Sequence, residues 1–421
     1  EYVNLSKGMV NYEFINPGES EEKEAEAQQN GLRPVPINVR KKDQATQRLI
    51  YLGALVQIAD RREVIPLIQP DGPVEYTLST AIKKLAVIDK PAIGLIQGHG
   101  EVGQNELGQV VQALGILYNV ETINLPQVDQ IADRIKTVAL VAPKDSFPAT
   151  DLAKLDQFLG RGGHLFLAID AVNGDFSTAQ GTALTTGLEG WLKAKGLEIE
   201  NNFIVDINCG TVSIQQRQGF FTVNTPVKFH YLPVIGPFPD HPITKGLEQV
   251  ILTFASPVRY IGTGDATFTP IATTSTKAGI IQSPTVFDVV NKQWTNADFP
   301  LSNLAIGGVL EGNLVGNTPS KIVLISDGEF PQTNPQGRPQ NEDNISLMVN
   351  SIDWLSDDTG LIDLRTKGVA SRPIEELEDD QRSFYKWMNF LLPIALIIFY
   401  GIYRMQRKNS IRSKRMQERY N

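Results

Sequence analysis

Residues 138–170 read VALVAPKDSFPATDLAKLDQFLGRGGHLFLAID, and their reading decides the fold. VALVA is a short, uniformly apolar run ending at Pro143, the pattern of a strand covered on both faces. Ala149–Leu159 then places apolar residues at helical spacing and stops at Gly160-Arg161-Gly162-Gly163. His164–Asp170 (HLFLAID) is a second buried strand. Strand, helix and strand in succession form a parallel crossover unit.

The same alternation extends outward. Ala92–Ile96 (AIGLI) is a short strand ending in Gln97-Gly98-His99-Gly100-Glu101, and a helix follows through Leu107, Val110, Val111 and Leu114. Val120–Leu125 is the next strand, Gly187–Lys195 a further helix, Lys321–Ser326 a returning strand and Ile345–Leu355 an amphipathic helix. The expected class is α/β: a mainly parallel, doubly wound sheet, amidotransferase-like or Rossmann-like, over residues 90–360. Residues from about 198 to 319 are turn-rich and β-like, read as an insertion or as strands added to the same domain. Residues 361–383 read as an extended linker.

Before this domain, residues 1–89 differ. Val10–Ile15 alternates like a strand, and Glu19–Asn30 is an exposed acidic helix. GLRPVPINV enters a strand, Leu49–Ile58 and Val64–Gln69 form a hairpin across Asp60-Arg61-Arg62, and Tyr76–Leu85 is a helix. This order resembles the second half of a thioredoxin, with Pro36 in the place of that fold's cis-proline. No Cys-x-x-Cys is present, so the resemblance is one of scaffold without redox chemistry. The missing first half is expected upstream of Glu1. The opening EYVNLSKGMVNYEFINP already reads as folded sequence, with no signal peptide or first membrane helix in it.

At the other end, Trp387–Tyr403 reads WMNFLLPIALIIFYGIY, without a charge or a polar face. Extended back to Phe384 it reaches twenty residues, enough to cross a bilayer, with Lys386 free to snorkel. Trp387, Phe390 and Tyr403 supply aromatics to the anchor, and Pro393 is tolerated within a spanning helix. A buried core helix would satisfy the same composition, but a tail as basic as 404–421 argues against it. That tail carries seven Lys or Arg against one Glu, so the chain's net −8 leaves −14 on the residues before it. The positive-inside rule puts the tail in the cytoplasm and the acidic body outside. The expected location is the bacterial inner membrane: one C-terminal span, the large domain periplasmic, lipid around the helix.

An acidic body excludes nucleic acid as a partner. The single cysteine, Cys209, excludes disulfides and cysteine-based zinc sites, and it has no obvious basic neighbour in sequence. No G-x-S-x-G elbow or phosphate-binding G-x-x-x-x-G-K-[ST] loop occurs. Open α/β sheets bind ligands beyond the carboxyl ends of their strands. The candidate ligand site is therefore His99 and Glu101, Lys144, Asp327 and Glu329. The plainer alternative makes GHG a tight turn and Glu101 a helix-terminus carboxylate. His164, His230 and His241 do not stand at ligand spacing, so neither a metal nor a cofactor is expected. His241–Leu247 (HPITKGL) reads as a structural turn.

Several phrases together carry a resemblance: GLRPVPINV with its hairpin, IGLIQGHGE, LVAPKDSF with LDQFLGRGGHLFLAID, DHPITKGLE before FASP, ISDGEF, and NFLLPIALIIFYGIYR. In this order the chain resembles the GldG family, ABC-transporter auxiliary proteins of gliding motility in the Bacteroidetes. The resemblance implies an inner-membrane protein with a large periplasmic region, beside a separate permease and a separate ATPase. It implies no catalytic residues, and it implies a membrane helix before the first residue given. Its α/β domain also resembles that of intraflagellar-transport proteins. The reading is a non-enzymatic auxiliary subunit; the alternatives are a true sugar- or peptide-binding subunit and a degenerate hydrolase.

Overall fold

The computed structural model describes residues 2–417 apart from 7, 42–43, 69–73, 87–89, 219–220, 263, 290, 334–340 and 357–378. The chain divides into two compact units, Glu1–Ala370 and Ser371–Asn421. The boundary expected at 89, and the linker expected at 361–383 as far as 378, lie outside the described residues.

In the first unit, α1 (Glu21–Gln29) is capped by Ser20, whose side chain accepts from the Lys23 N–H, and three acidic residues occupy its first turn. Strands β1 (Val35–Lys41) and β2 (Gln44–Ile50) pair as one antiparallel hairpin. β3 (Ala54–Ile58) and β4 (Arg61–Ile65) pair as another, and α2 (Val74–Ala86) follows. The expected strand over Leu49–Ile58 is thus divided between two hairpins, and these form two separate two-stranded sheets. Val10–Ile15 forms no strand; Tyr12 and Phe14 are exposed, and alternation alone supplies no hydrogen-bonding partner. The cis peptide bonds among the described residues precede Pro237 and Pro284, not Pro36, which corrects the expectation of a cis Pro36. Pro36 lies inside β1 opposite Leu49, where ordinary trans backbone continues the strand.

The main body is a seven-stranded sheet. β5 (Ala92–Gln97), β6 (Asn119–Asn124), β7 (Ile135–Val141) and β8 (His164–Ala168) are parallel. Three further strands complete it: β11 (Thr267–Thr273), β12 (Ala305–Val315) and β13 (Thr318–Ile325). The order is β11-β12-β13-β8-β7-β5-β6, with β13 parallel to β8 and both β12 pairings antiparallel. The strand period of two sends alternate side chains to opposite faces. Val138, Leu140, Leu165 and Leu167 meet α4 (Ala149–Gly160) and α5 (Leu188–Lys193) through Leu155, Phe158, Leu188 and Leu192. Ala139, Val141, Phe166 and Ala168 meet α3 (Gly108–Leu114) and α6 (Glu342–Ser356) through Val110, Leu114, Leu347 and Ile352. Each fully buried leucine or phenylalanine contributes about 1.5–3 kcal/mol of transfer free energy to holding these layers together.

Residues 198–319 are not one separate insertion, because β11 and β12 within them continue the main sheet. The rest is a β-rich annex. β9 (Cys209–Gln218) and β10 (Phe221–Ile235) form a long ribbon, and Asn202–Asp206 pairs with Ala278–Gln282. The annex has its own aromatic core, in which Phe254 stacks on Phe287 at 4.9 Å and Phe203 meets both edge-on.

The second unit contains α7 (Asp379–Gln417), an unbroken helix that includes Pro393. Its stretch Ser383–Ile411 is long and apolar enough to cross a membrane, and its large apolar side chains are exposed.

Candidate functional site

Parallel order brings the carboxyl ends of β5, β7, β8 and β13 to one side of the sheet. Strand β5 is flanked by β6 and β7, so the chain winds outward in both directions from the β5/β7 boundary, where such sheets form crevices. The GHGE turn stands at that boundary. Gly98 has φ +125°, and a Cβ there would collide with the Pro126 ring, so this position admits only glycine.

His99 and Glu101 are both buried. Glu101 Oε2 accepts from the His99 backbone N–H at 2.6 Å, and Oε1 faces the His99 Nδ1 at 3.3 Å. On its other side, His99 Nε2 faces Asp151 Oδ2 at 3.0 Å. Both neighbours of the ring are carboxyl groups, so each ring nitrogen has an oxygen partner from a different element of the chain. Lys154 Nζ donates to the second Asp151 oxygen at 2.8 Å and to the Leu125 carbonyl at 2.9 Å. Phe147 closes the assembly, its ring stacked on His99 at 3.8 Å between centroids. The result is a hydrogen-bonded row, Glu101–His99–Asp151–Lys154, that joins the β5 turn to the first turn of α4. The backbone adds to the closure: the N–H groups of Lys144 and Asp145 both donate to the His99 carbonyl, at 3.0 and 2.9 Å. The groups at the β5/β7 boundary are therefore spent within the chain.

A second set lies at the ends of β7, β8 and β13. Asp327 is fully buried and accepts from the N–H groups of Thr253 at 2.6 Å, Glu329 at 2.7 Å and Phe330 at 3.1 Å. Asp170 accepts from the Gly328 N–H at 2.7 Å. Burial pushes the Asp170 carboxyl up to about 7, with the Glu329 charge adding to the rise and Lys144 opposing it. Burial and then the neighbouring Asp170 charge push Asp327 well above the usual carboxylate range. Glu329 is exposed at its tip, and burial raises it against the pull of Lys144. Gly328 packs so tightly on Ala142 that a Cβ would lie 2.6 Å from the Ala142 Cα.

The five residues expected to share a site thus fall into two sets on neighbouring strand ends. His99 and Glu101 belong to the closed row. Lys144, Asp327 and Glu329 belong with Asp170, and of these Lys144 and Glu329 reach solvent. Asp151 and Phe147 complete the first set and Asp170 the second; none stood out in the sequence, although Asp170 ends the HLFLAID strand. Among the described residues, no group of three His, Cys, Asp or Glu side chains is arranged to hold a metal ion.

The annex holds one more polar cluster. Cys209 Sγ approaches His230 Nδ1 at 3.4 Å, a basic neighbour that the sequence does not reveal. That imidazole nitrogen donates to the Asp206 carbonyl at 2.7 Å, and the ring packs against Trp294 and Phe299. Burial pushes the thiol up to about 11 and lowers His230, which leaves a neutral pair rather than an activated thiolate. His241–Leu247 is a turn, as expected: the Thr244 hydroxyl donates to Pro239 O, and Asn350 donates to Ile243 O.

Residues 90–351 match the family model described as an ABC-type uncharacterized transport system, and residues 1–57 match a domain of unknown function. An uncharacterized protein of Borreliella burgdorferi is 20% identical over 402 residues, covering 90% of this chain and 78% of that protein. Among solved structures, the mmIFT52 N-terminal domain aligns with a TM-score of 0.42 at 13% identity, over 63% of this chain and 98% of that one. A putative ThuA-like protein from Parabacteroides merdae aligns with a TM-score of 0.32 at 11% identity, over 68% and 93%.

Proposed function

The chain belongs to the auxiliary-protein family of ABC-type transport systems, and from that premise we propose a non-catalytic, membrane-anchored auxiliary subunit that works beside a separate permease and ATPase. The observation that carries the non-catalytic part is the self-satisfied boundary between β5 and β7. There His99 is clamped by two carboxylates and its carbonyl by two backbone N–H groups. These contacts tie the β5 turn to α4 and give the boundary a structural role.

In this reading residues 384–403 of α7 cross the inner membrane. The acidic body, divided at about residue 89, lies in the periplasm and tail 404–421 in the cytoplasm. The transporter serves gliding motility or surface export, as the resemblance to the GldG family implies. Support for this placement comes from the exposed apolar stretch of α7 and the basic residues that follow it. Isolation of the membrane-embedded chain under mild detergent should bring down one ABC permease and one ABC ATPase in fixed ratio. Recovery of neither from cross-linked membranes would reject the assignment.

A second reading, a sugar- or peptide-binding subunit, draws on one feature: Lys144 and Glu329 reach solvent beside Asp170, which gives one oxygen to Gly328. Calorimetric titration of defined oligosaccharides and short peptides against the wild type and Lys144→Ala tests it. Heat that disappears in the variant favours ligand binding; equal heats remove the site.

A further inference from the structure

Pro393 has no N–H, so within α7 the carbonyl four residues earlier loses its regular intrahelical donor. That carbonyl belongs to Asn389, the one amide side chain in the apolar run Trp387–Tyr403. The Asn389 side chain is exposed on the helix, and among the described residues no hydrogen-bond partner lies against it. One position therefore presents an unpaired carbonyl acceptor, an amide oxygen and two amide N–H donors. Asn389 stands five residues inside Phe384, about 7 Å along the helix axis, and its carbonyl points toward the helix C-terminus and so deeper. Away from water, a neighbouring helix is one source of partners for such groups.

From this we infer that α7 pairs with a second copy of itself in the bilayer, parallel and two-fold symmetric, through Asn389 and the carbonyl that Pro393 frees. The occupant follows from complementarity of partial charge. Asn389 carries both the donors and the acceptors that its own position lacks, so the same residue on a second helix completes both. All copies insert with the same orientation, which brings Asn389 to Asn389 at equal depth without requiring any other sequence. The two-fold axis makes the contact reciprocal: each amide donates to the other helix and accepts from it. Pro393, Leu396 and Tyr400 follow Asn389 at spacings of four, seven and eleven, so they share its face and flank the contact.

This inference rests on the membrane-spanning reading, and its test separates the two. The full chain with Cys209→Ser and Asn421→Cys is labelled with donor or acceptor dye and reconstituted in phosphatidylcholine vesicles. Energy transfer is then followed as lipid is added. Transfer is expected to exceed the random-proximity value and to resist dilution. Asn389→Leu should weaken the association about tenfold, Asn389→Gln should preserve it, and Pro393→Ala should fall between. Transfer at the random value, or an Asn389→Leu variant that associates like the parent, overturns the pairing while leaving the span intact. Pairing that appears only with a permease present overturns it too, because the occupant is then a different helix. Release of the parent chain from vesicles by alkaline carbonate removes the span, and the pairing with it.

Discussion

At the scale of single residues, the row Glu101–His99–Asp151–Lys154 is the most consequential arrangement, and sequence showed half of it. His99 and Glu101 stand two apart beside a strand end and were visible; Asp151 and Phe147 lie some fifty residues away, brought in only by the crossover of α4. Removing the ring leaves two buried carboxylates facing each other. His99→Ala is therefore expected to cost about 3 kcal/mol of stability in urea unfolding, and a loss below about 1 kcal/mol would mean the row is solvated. The Asp170–Asp327 pair makes a second prediction. Asp170 is raised from 3.8 to about 7, so between those values the folded chain holds a proton that the unfolded chain has released. The stabilisation is complete below pH 4 and is lost as pH rises through about 7. Asp170→Asn still accepts the Gly328 N–H through its amide oxygen, so unfolding midpoints measured across that range should flatten. A slope equal to the parent's would show that another group titrates. None of this was legible beforehand, because a raised carboxylate depends on burial and on a neighbour 157 residues away.

At the scale of elements, strands and helices from 92 to 168 follow their sequence pattern to within about three residues, since each carries its own period and its own stop signal. The largest difference is β7, which starts at Ile135 rather than Val138. The pattern failed where an element depends on a distant partner. Val10–Ile15 alternates but finds no neighbouring strand. For β11 and β12 the sequence left two readings open, an insertion or strands added to the same domain. They extend the main sheet, and that choice is made by pairing with β12 and β13, which local composition does not encode. Gly328 shows how closely neighbouring strand ends approach. Its would-be Cβ meets the Ala142 backbone as well as the Asp170 Oδ2, so Gly328→Ala must push the β13 end away from the loop after β7. The expected cost is about 1–3 kcal/mol, with Asp170 losing its bond to the Gly328 N–H. Thermal unfolding of the variant at the parent's midpoint would contradict the packing.

At the scale of the whole molecule, the apolar end was legible outright, since the seventeen uncharged residues Trp387–Tyr403 followed by a basic run need no tertiary information. Arginine at both Leu392 and Ile397, near the middle of the apolar stretch, opposes insertion by about 2.5–3.5 kcal/mol for each residue. The double variant should move to the carbonate-soluble fraction; full retention in the pellet would show that another segment holds the chain. The geometry of α7 has a mechanical side as well. The helix continues fourteen residues past Tyr403, about 21 Å, with no break marking the end of the apolar stretch. A change of 20° in its inclination, within the range that spanning helices adopt, swings the far tip by about 7 Å. Such a stiff lever would report small rearrangements of a neighbouring membrane protein to whatever grips its cationic end.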